Sequence, residues 1–314
     1  MTNNKYLPEG MRQTCAENMQ LLSSMAGLER AMATGTILES TVLTCDKNLT
    51  LTLDLGGIRG TIAAAECAYT MDGERLKDIA IISRVGKVVC FKILGFERDD
   101  NGKICAILSR RAAQSECMYN FLHKLTSGDI VPSRVTHLEP FGAFVDIGCG
   151  IVSLMSVDCI SVSRIAHPKE RFSPGMYIRS IIKSIDYDTG RIFVTHKELL
   201  GTWEENVARF NVAETVTGIV RSIEEYGIFV ELSANLAGLA EPKEGIIEGQ
   251  SVAVFIKNII HDKMKVKLVL IDNYQGSAVS RPFEYMVSDD VLRMDSWRYS
   301  PDECGKVIET VFGT

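Results

Sequence analysis

The chain has 314 residues, 46% of them apolar and 24% charged, the proportions of an ordinary folded protein with room for two or three domains. A net charge of −6 excludes a basic blanket, so any nucleic-acid binding has to be local. The sequence has no 18-residue apolar run, no signal-peptide pattern, and nine scattered cysteines without a C-x-x-C; a cytoplasmic protein in a reducing compartment, away from membranes, is expected.

Residues 1–33 form a helical segment, in which "ENMQLLSSMAGLERAM" (17–32) reads as one amphipathic helix. Residues 34–113 read as short strands. In "STVLTCDKNLTLTLDLGGIRG" (40–60), Leu49, Leu51, Leu53 and Leu55 point one way and Thr50, Thr52 and Asp54 the other. "ISRVGKVVCFKILGFERDDNGKICAILSRR" (82–111) continues with glycine, strand, turn and strand, and "DDNG" (99–102) supplies a hairpin turn. "RRAAQSECMYNFLHKL" (110–125) spaces Ala113, Cys117, Phe121 and Leu125 by four, the pattern of a helix, with a linker at 114–123.

Residues 124–200 form the second strand-rich unit. In "PFGAFVDIG" (140–148), Ala143, Val145 and Ile147 share one face, while Phe144 and Asp146 share the other, with Phe141 just ahead of Gly142. A strand with an aspartate on its wet face has no packing reason to place a phenylalanine there. "DTG" (188–190) is a second hairpin turn, and "KELLGTWEENVARF" (197–210) is helical, with a linker at 201–210. The third unit, 211–272, repeats the second. "YGIFVEL" (226–232) matches "FGAFVDI" (141–147) position by position at an offset of 85. "IEGQSVAVFIKNIIHDKMKVKLVLI" (247–271) likewise matches "SPGMYIRSIIKSIDYDTGRIFVTHK" (173–197). An internal repeat sets the architecture. The expected fold is β-dominated: three tandem barrels of about five short strands each, joined by short helices, since closure removes exposed strand edges. The tail, 273–314, has no counterpart in the repeat. Its Trp297 and Tyr299 serve either as a partner anchor or as part of a tail folded back onto the last barrel, the reading favoured here. A short helical run falls near Val307, Val311 and Phe312.

The aromatic-Gly-x-Phe-Val strand, followed by "GIVSL" (150–154) or "GLAEP" (238–242) and then "GRIFVTHK" (190–197), resembles the S1 RNA-binding domain family over about 34–272. The resemblance implies oligonucleotide-binding barrels, with the first copy degenerate and suited to docking. It also implies a single-stranded RNA site on Phe141 and Phe144, and on Tyr226 and Phe229, with Arg191 as the basic residue of the last strand. Lys265 and Lys103 stand at the position of Arg191 in the other units, and Asp186 falls near a family acid. A histidine of the family pattern is replaced by Ser153, Glu241 and Ala63. In the first unit Thr52 stands where the second ring would be.

Two outward rings offer flat faces to bases of any sequence, and Gly142 and Gly227 are expected to let the chain bend into the strand. Burial of the rings against a linker helix or a neighbouring barrel is the competing reading. Arg134, Arg179, Lys183, Arg191 and Lys197 supply positive charge in the second unit, where nine Lys/Arg stand against eight Asp/Glu. Lys257, Lys263, Lys265 and Lys267 supply it in the third, where six stand against nine; Lys263, Lys265 and Lys267 are expected to alternate onto one face. The second unit ranks as the primary site, with Ser153 included in it. The five histidines share no metal-ligand spacing, and no G-x-x-x-x-G-K-[ST], G-x-G-x-x-G or G-x-S-x-G sequence occurs, so no cofactor, metal or enzymatic activity is expected. The implied partners are single-stranded RNA, messenger RNA among it, and the small ribosomal subunit. A protein-interaction scaffold with covered aromatic faces is the alternative.

Overall fold

The computed structural model describes residues 5–70, 76–99, 101–186, 189–277 and 283–313. Asp100 and Asp188, within the two expected hairpin turns, lie outside the described residues. Contacts group 1–125 with 132–134 and 146–152, and group 126–131 with 135–145 and 153–314.

In the first group, the expected single N-terminal helix is two, α1 (Ala16–Leu22) and α2 (Met25–Thr34). The break follows from Ser24, which leaves helical geometry and accepts a hydrogen bond from Gly27 N as an N-cap. Next come β1 (Leu38–Cys45), β2 (Leu51–Leu55), β3 (Ile58–Ile62), the short α3 (Asp78–Ile82), β4 (Val88–Arg98) and β5 (Ile104–Ser109), followed by α4 (Arg110–Asn120). The strands close as β1-β2-β3-β5-β4, with β3 and β5 parallel and the other described pairs antiparallel. The alternation read from β2 holds: Leu51, Leu53 and Leu55 are core and Asp54 is exposed. Leu49 is not part of it, since it sits in the preceding turn at φ 62°.

A buried charge network ties this group together. Glu9 meets Arg110 at 2.6 and 3.0 Å in a two-pronged pair, and its carboxylate also accepts from Cys90 N. Arg110 donates onward to the carbonyls of Cys67 and Gly150. Asp146 is 1% exposed, so it does not share the wet face assigned to it by alternation. It lies at the end of its strand, where its carboxylate accepts from the backbone N–H of Glu9, Gly148 and Gly150. Burial and the nearby Glu9 carboxylate raise Asp146 to about 7. Burial likewise raises Glu39 to about 7, although it accepts from Gly10 N and Arg12 N. Glu9 stays below the usual carboxylate range because Arg110 outweighs its burial.

The second barrel consists of β6 (Ile130–Glu139), β7 (Gly142–Asp146), β8 (Val152–Ser156), β9 (Tyr177–Asp186) and β10 (Arg191–Thr195), closed as β10-β8-β7-β6-β9. After α5 (Trp203–Val207), β11 (Thr215–Glu224), β12 (Gly227–Ser233), β13 (Leu236–Ala240), β14 (Gln250–Ile260) and β15 (Lys265–Ser277) close the third as β11-β12-β13-β15-β14. In this second group, Glu231 is buried between Arg171 and Arg221, and Arg221 also pairs with Glu170.

The tail folds back. Trp297 and Tyr299 are each 5% exposed within the core that holds Trp203 and the third-barrel strands, and the Tyr299 hydroxyl donates to Asn235 O. Phe312 packs with Ile181 and Leu199 of the second barrel. The segment expected to be helical is instead β17 (Glu309–Val311), paired with β16 (Ser296–Arg298), because cross-strand pairing of Trp297 with Thr310 is what seats the indole.

The two repeat glycines are needed for space. A Cβ on Gly142 would stand 2.4 Å from Met155 O, and one on Gly227 2.7 Å from Ala240 O. The same neighbouring-strand carbonyl, 85 positions apart, covers both sites. The bend expected from unusual backbone angles is therefore not the reason for glycine at 142, which has no left-handed φ. Gly142→Ala is expected to destabilise the second barrel by about 1–3 kcal/mol, the range for overpacking, as read by denaturant unfolding.

The raised carboxyls give the first group a pH dependence of definite sign. Groups whose folded pKa lies above the unfolded value favour the protonated fold, so their stability is full below the unfolded value and is lost as pH rises through about 7. Hydrogen exchange is expected to show stronger protection of these elements at pH 6 than at pH 8, with Glu39→Gln weakening that difference by roughly half, because one of the two carboxyls is removed.

Candidate nucleic-acid interface

β7 and β12 each carry one ring on the barrel exterior and one just before the strand. Ala143 and Val145 point inward, as do Ile228 and Val230, so alternation sends Phe144 and Phe229 outward, where both are half-buried. Phe141 and Tyr226 precede the crowded glycines and are 56% and 68% exposed. Within each pair the rings meet edge to face: Phe141 and Phe144 at 6.0 Å and 88°, Tyr226 and Phe229 at 6.2 Å and 88°. This is a favoured aromatic geometry that uses the inner ring to hold the outer one. His137 lies beside Phe144 with ring centroids 6.2 Å apart.

In the third barrel the strand register extends the row. Phe229 pairs with Leu239, and Leu239 pairs with Lys267, so the three share one face. Lys265 and Lys267 are exposed and alternate with buried Val266 and Leu268. Lys263 does not follow that alternation, because it lies in a single 3-10 turn and is separated from β15 by Met264 at φ 47°. Lys257 is exposed on β14. In the second barrel, Phe193 of β10 pairs with Leu154 of β8 and is half-buried. Sequence reasoning misses Phe193, yet the alternation that puts Arg191 outward puts Phe193 outward as well.

The positive groups divide. Arg191 is exposed at the start of β10. Lys183 is exposed and donates to Cys159 Sγ at 3.1 Å, a contact that raises its pKa. Lys197 donates to Asp158 O at 3.2 Å. The Asp158 carboxyl sits below its ordinary range through the Ser156 hydroxyl, with Lys183 and Lys197 adding to the effect. Arg134 is half-buried on β6, and Lys103 is exposed in the first barrel.

Two expected contacts are committed elsewhere. Ser153 is 3% exposed and donates its hydroxyl to Ile192 O, a bond that joins β8 to β10 across the barrel closure. Arg179 holds the tail. It donates to the carbonyls of Val287, Ser288 and Val291, pairs with Asp289 at 3.2 Å and lies 5.5 Å over the Tyr285 ring. The Tyr285 hydroxyl accepts from Arg179 N and donates to His196 Nε2, while His196 Nδ1 donates to Ile160 O. Burial pushes His196 down to about 4. Asp186, the acid near a family position, caps its turn by accepting from Thr189. Among the described residues there is no cluster of three His, Cys, Asp or Glu side chains able to hold a metal ion, and no helix long and apolar enough to cross a membrane.

The two repeated barrels thus each carry an exposed ring and exposed cations, groups suited to unpaired bases and their phosphates. A family model described as "S1 RNA binding domain" matches residues 124–197. The small ribosomal subunit protein bS1 of Staphylococcus aureus is 28% identical over 279 residues, covering 84% of this chain and 67% of that protein. The protein of the same name from Staphylococcus epidermidis is 26% identical over 280 residues, with the same shares. Among solved structures, a multidomain protein with nucleic acid binding domains from Streptococcus pneumoniae aligns over 76% of this chain and 73% of its own, at 16% identity and a TM-score of 0.25. Residues 124–197 are an S1 RNA-binding domain, set in a chain distantly similar to ribosomal protein bS1 over most of its length.

Proposed function

We propose that this protein is a non-catalytic, cytoplasmic single-stranded RNA-binding protein linked to translation, with messenger RNA as ligand and the small ribosomal subunit as partner. One observation carries the reading: at equivalent positions of two barrels an exposed ring meets a second, half-buried ring at right angles. A scaffold whose aromatic faces are covered would leave these rings without a role. The second barrel is the primary site, built from Phe141, Phe144, Lys183, Arg191 and Lys197. Tyr226, Phe229, Lys257, Lys265 and Lys267 form the other. In the third barrel Glu241 is exposed, which opposes phosphate and ranks that barrel second. Among its described residues the first barrel has no such ring pair and instead exposes Leu43, Ile79 and Ile82, a surface suited to docking.

Titration of poly-pyrimidine RNA tests the reading. Phe141→Ala/Phe144→Ala is expected to lose at least about 30-fold in affinity, the lower end for two stacked bases, and more than Tyr226→Ala/Phe229→Ala. Undiminished binding by both double variants would remove the platform. Repeating the titration across salt concentrations separates stacking from charge. Lys265→Ala/Lys267→Ala is expected to flatten the dependence of log affinity on log salt by about 1.4, two contacts at about 0.7 each, while the ring variants leave the slope unchanged.

A further inference from the structure

Another set of exposed rings lies off the barrel strands, on α4 and the turn that follows it. Ala113, Cys117 and Met118 of α4 are buried, and Tyr119 is turned outward, 58% exposed. His123, four residues on in the 3-10 turn Leu122–Lys124, is exposed as well. The two rings meet edge to face, with centroids 5.4 Å apart and planes at 89°. Phe141 with Phe144, and Tyr226 with Phe229, meet at 88°. The arrangement of the barrel strands thus recurs on a helix.

Tyr119 is braced from a second side. Half-buried Tyr69 meets it at 6.4 Å and 77°. Tyr69 is itself fixed, because its backbone N–H donates to Gln114 Oε1 at 2.9 Å, and buried Gln114 donates onward to Cys149 O. An exposed ring braced by two others is already ordered, so a flat ligand laid on it costs little side-chain freedom.

The local charge suits an anion. Segments 64–70 and 110–125 contain two acids, Glu66 and Glu116. Glu116 accepts from the Tyr6 hydroxyl and pairs with Lys5 and Lys92. Glu66 accepts from the Ser109 hydroxyl and pairs with Arg111. Both acids are neutralised, while Lys124, next to His123, is exposed.

We propose that Tyr119 is a further base-stacking site for single-stranded RNA, carried by the linker helix rather than by a barrel strand. A base stacks on the Tyr119 ring, Tyr69 and His123 brace that ring, and Lys124 takes a phosphate of the same strand. Stacking on a π-face tolerates any base, so the site adds affinity without sequence preference. The inference rests on the reading of this chain as an RNA-binding protein.

The test is titration of the full chain with a poly-pyrimidine RNA of about 40 nucleotides, because one barrel holds roughly 4–16. Tyr119→Ala is expected to lose about fivefold or more in affinity, the lower end for one stacked base. The variant should keep its fold, since the residue is exposed and alanine favours a helix. Tyr119→Phe retains the ring and is expected to bind as the parent chain does. Lys124→Ala is expected to flatten the dependence of log affinity on log salt by about 0.7, and Tyr119→Ala to leave that slope unchanged. Tyr119→Ala should also weaken binding when added to Phe141→Ala/Phe144→Ala. Undiminished affinity of Tyr119→Ala, beside a loss in Phe141→Ala/Phe144→Ala, would overturn this site and leave the barrel platform standing. A loss in Tyr119→Ala with none in Phe141→Ala/Phe144→Ala would support this site and remove the platform. Equal losses in Tyr119→Phe and Tyr119→Ala would overturn it by tracing the effect to the hydroxyl, and absence of RNA binding by the parent chain would overturn both readings.

Discussion

The constraint on which the interface depends is the close passage of one strand's carbonyl over its neighbour's first residue. Met155 O over Gly142 and Ala240 O over Gly227 leave no space for a side chain. Each barrel can close at that point only with glycine, and the residue just before it is left at the rim. In both repeats that residue is a large aromatic, and the residue three positions later supports it edge-on. The exposure of Phe141 and Tyr226 is therefore a product of barrel geometry rather than of surplus apolar residues.

The acid that follows two residues after the second ring has a different role from the rings. Asp146 and Glu231 occupy equivalent repeat positions and both are buried, the first among backbone N–H groups and the second between two arginines. Each anchors the end of its aromatic strand, Asp146 through hydrogen bonds to backbone N–H groups and Glu231 through two guanidinium groups whose charge would be left uncompensated on its removal. The tail adds a second anchor in the larger group, where Arg179, Tyr285 and His196 form one hydrogen-bonded chain. The cations of these two barrels thus fall into two sets. Arg171 and Arg179 are structural, and Arg191, Lys265 and Lys267 remain at the surface.

Much of this was legible in the sequence. Period-two alternation identified the outward rings and the leucine core of β2, and the 85-residue repeat identified the paired barrels. What the sequence concealed were partners distant along the chain. Nothing local to Asp146 announces Glu9 N, and nothing near Arg179 announces the carbonyls of Val287 and Ser288, more than a hundred residues on. Ser153 stands where the family pattern has a histidine, but its hydroxyl is small enough to be buried against Ile192 O. Phe193 follows the same alternation as Arg191, although an aromatic in an apolar strand ordinarily reads as core. The helix expected near Val307 failed because Trp297, from another part of the tail, supplied a strand partner that local periodicity cannot reveal.

The central claim is that the exposed rings of the second and third barrels are where RNA lies. Ultraviolet cross-linking of the full chain to single-stranded RNA, with the attachment sites mapped by mass spectrometry, tests it most directly. Adducts concentrated at Phe141 and Tyr226 are the predicted result. Adducts that map to the first barrel or the tail, with those two residues unmodified, would contradict it.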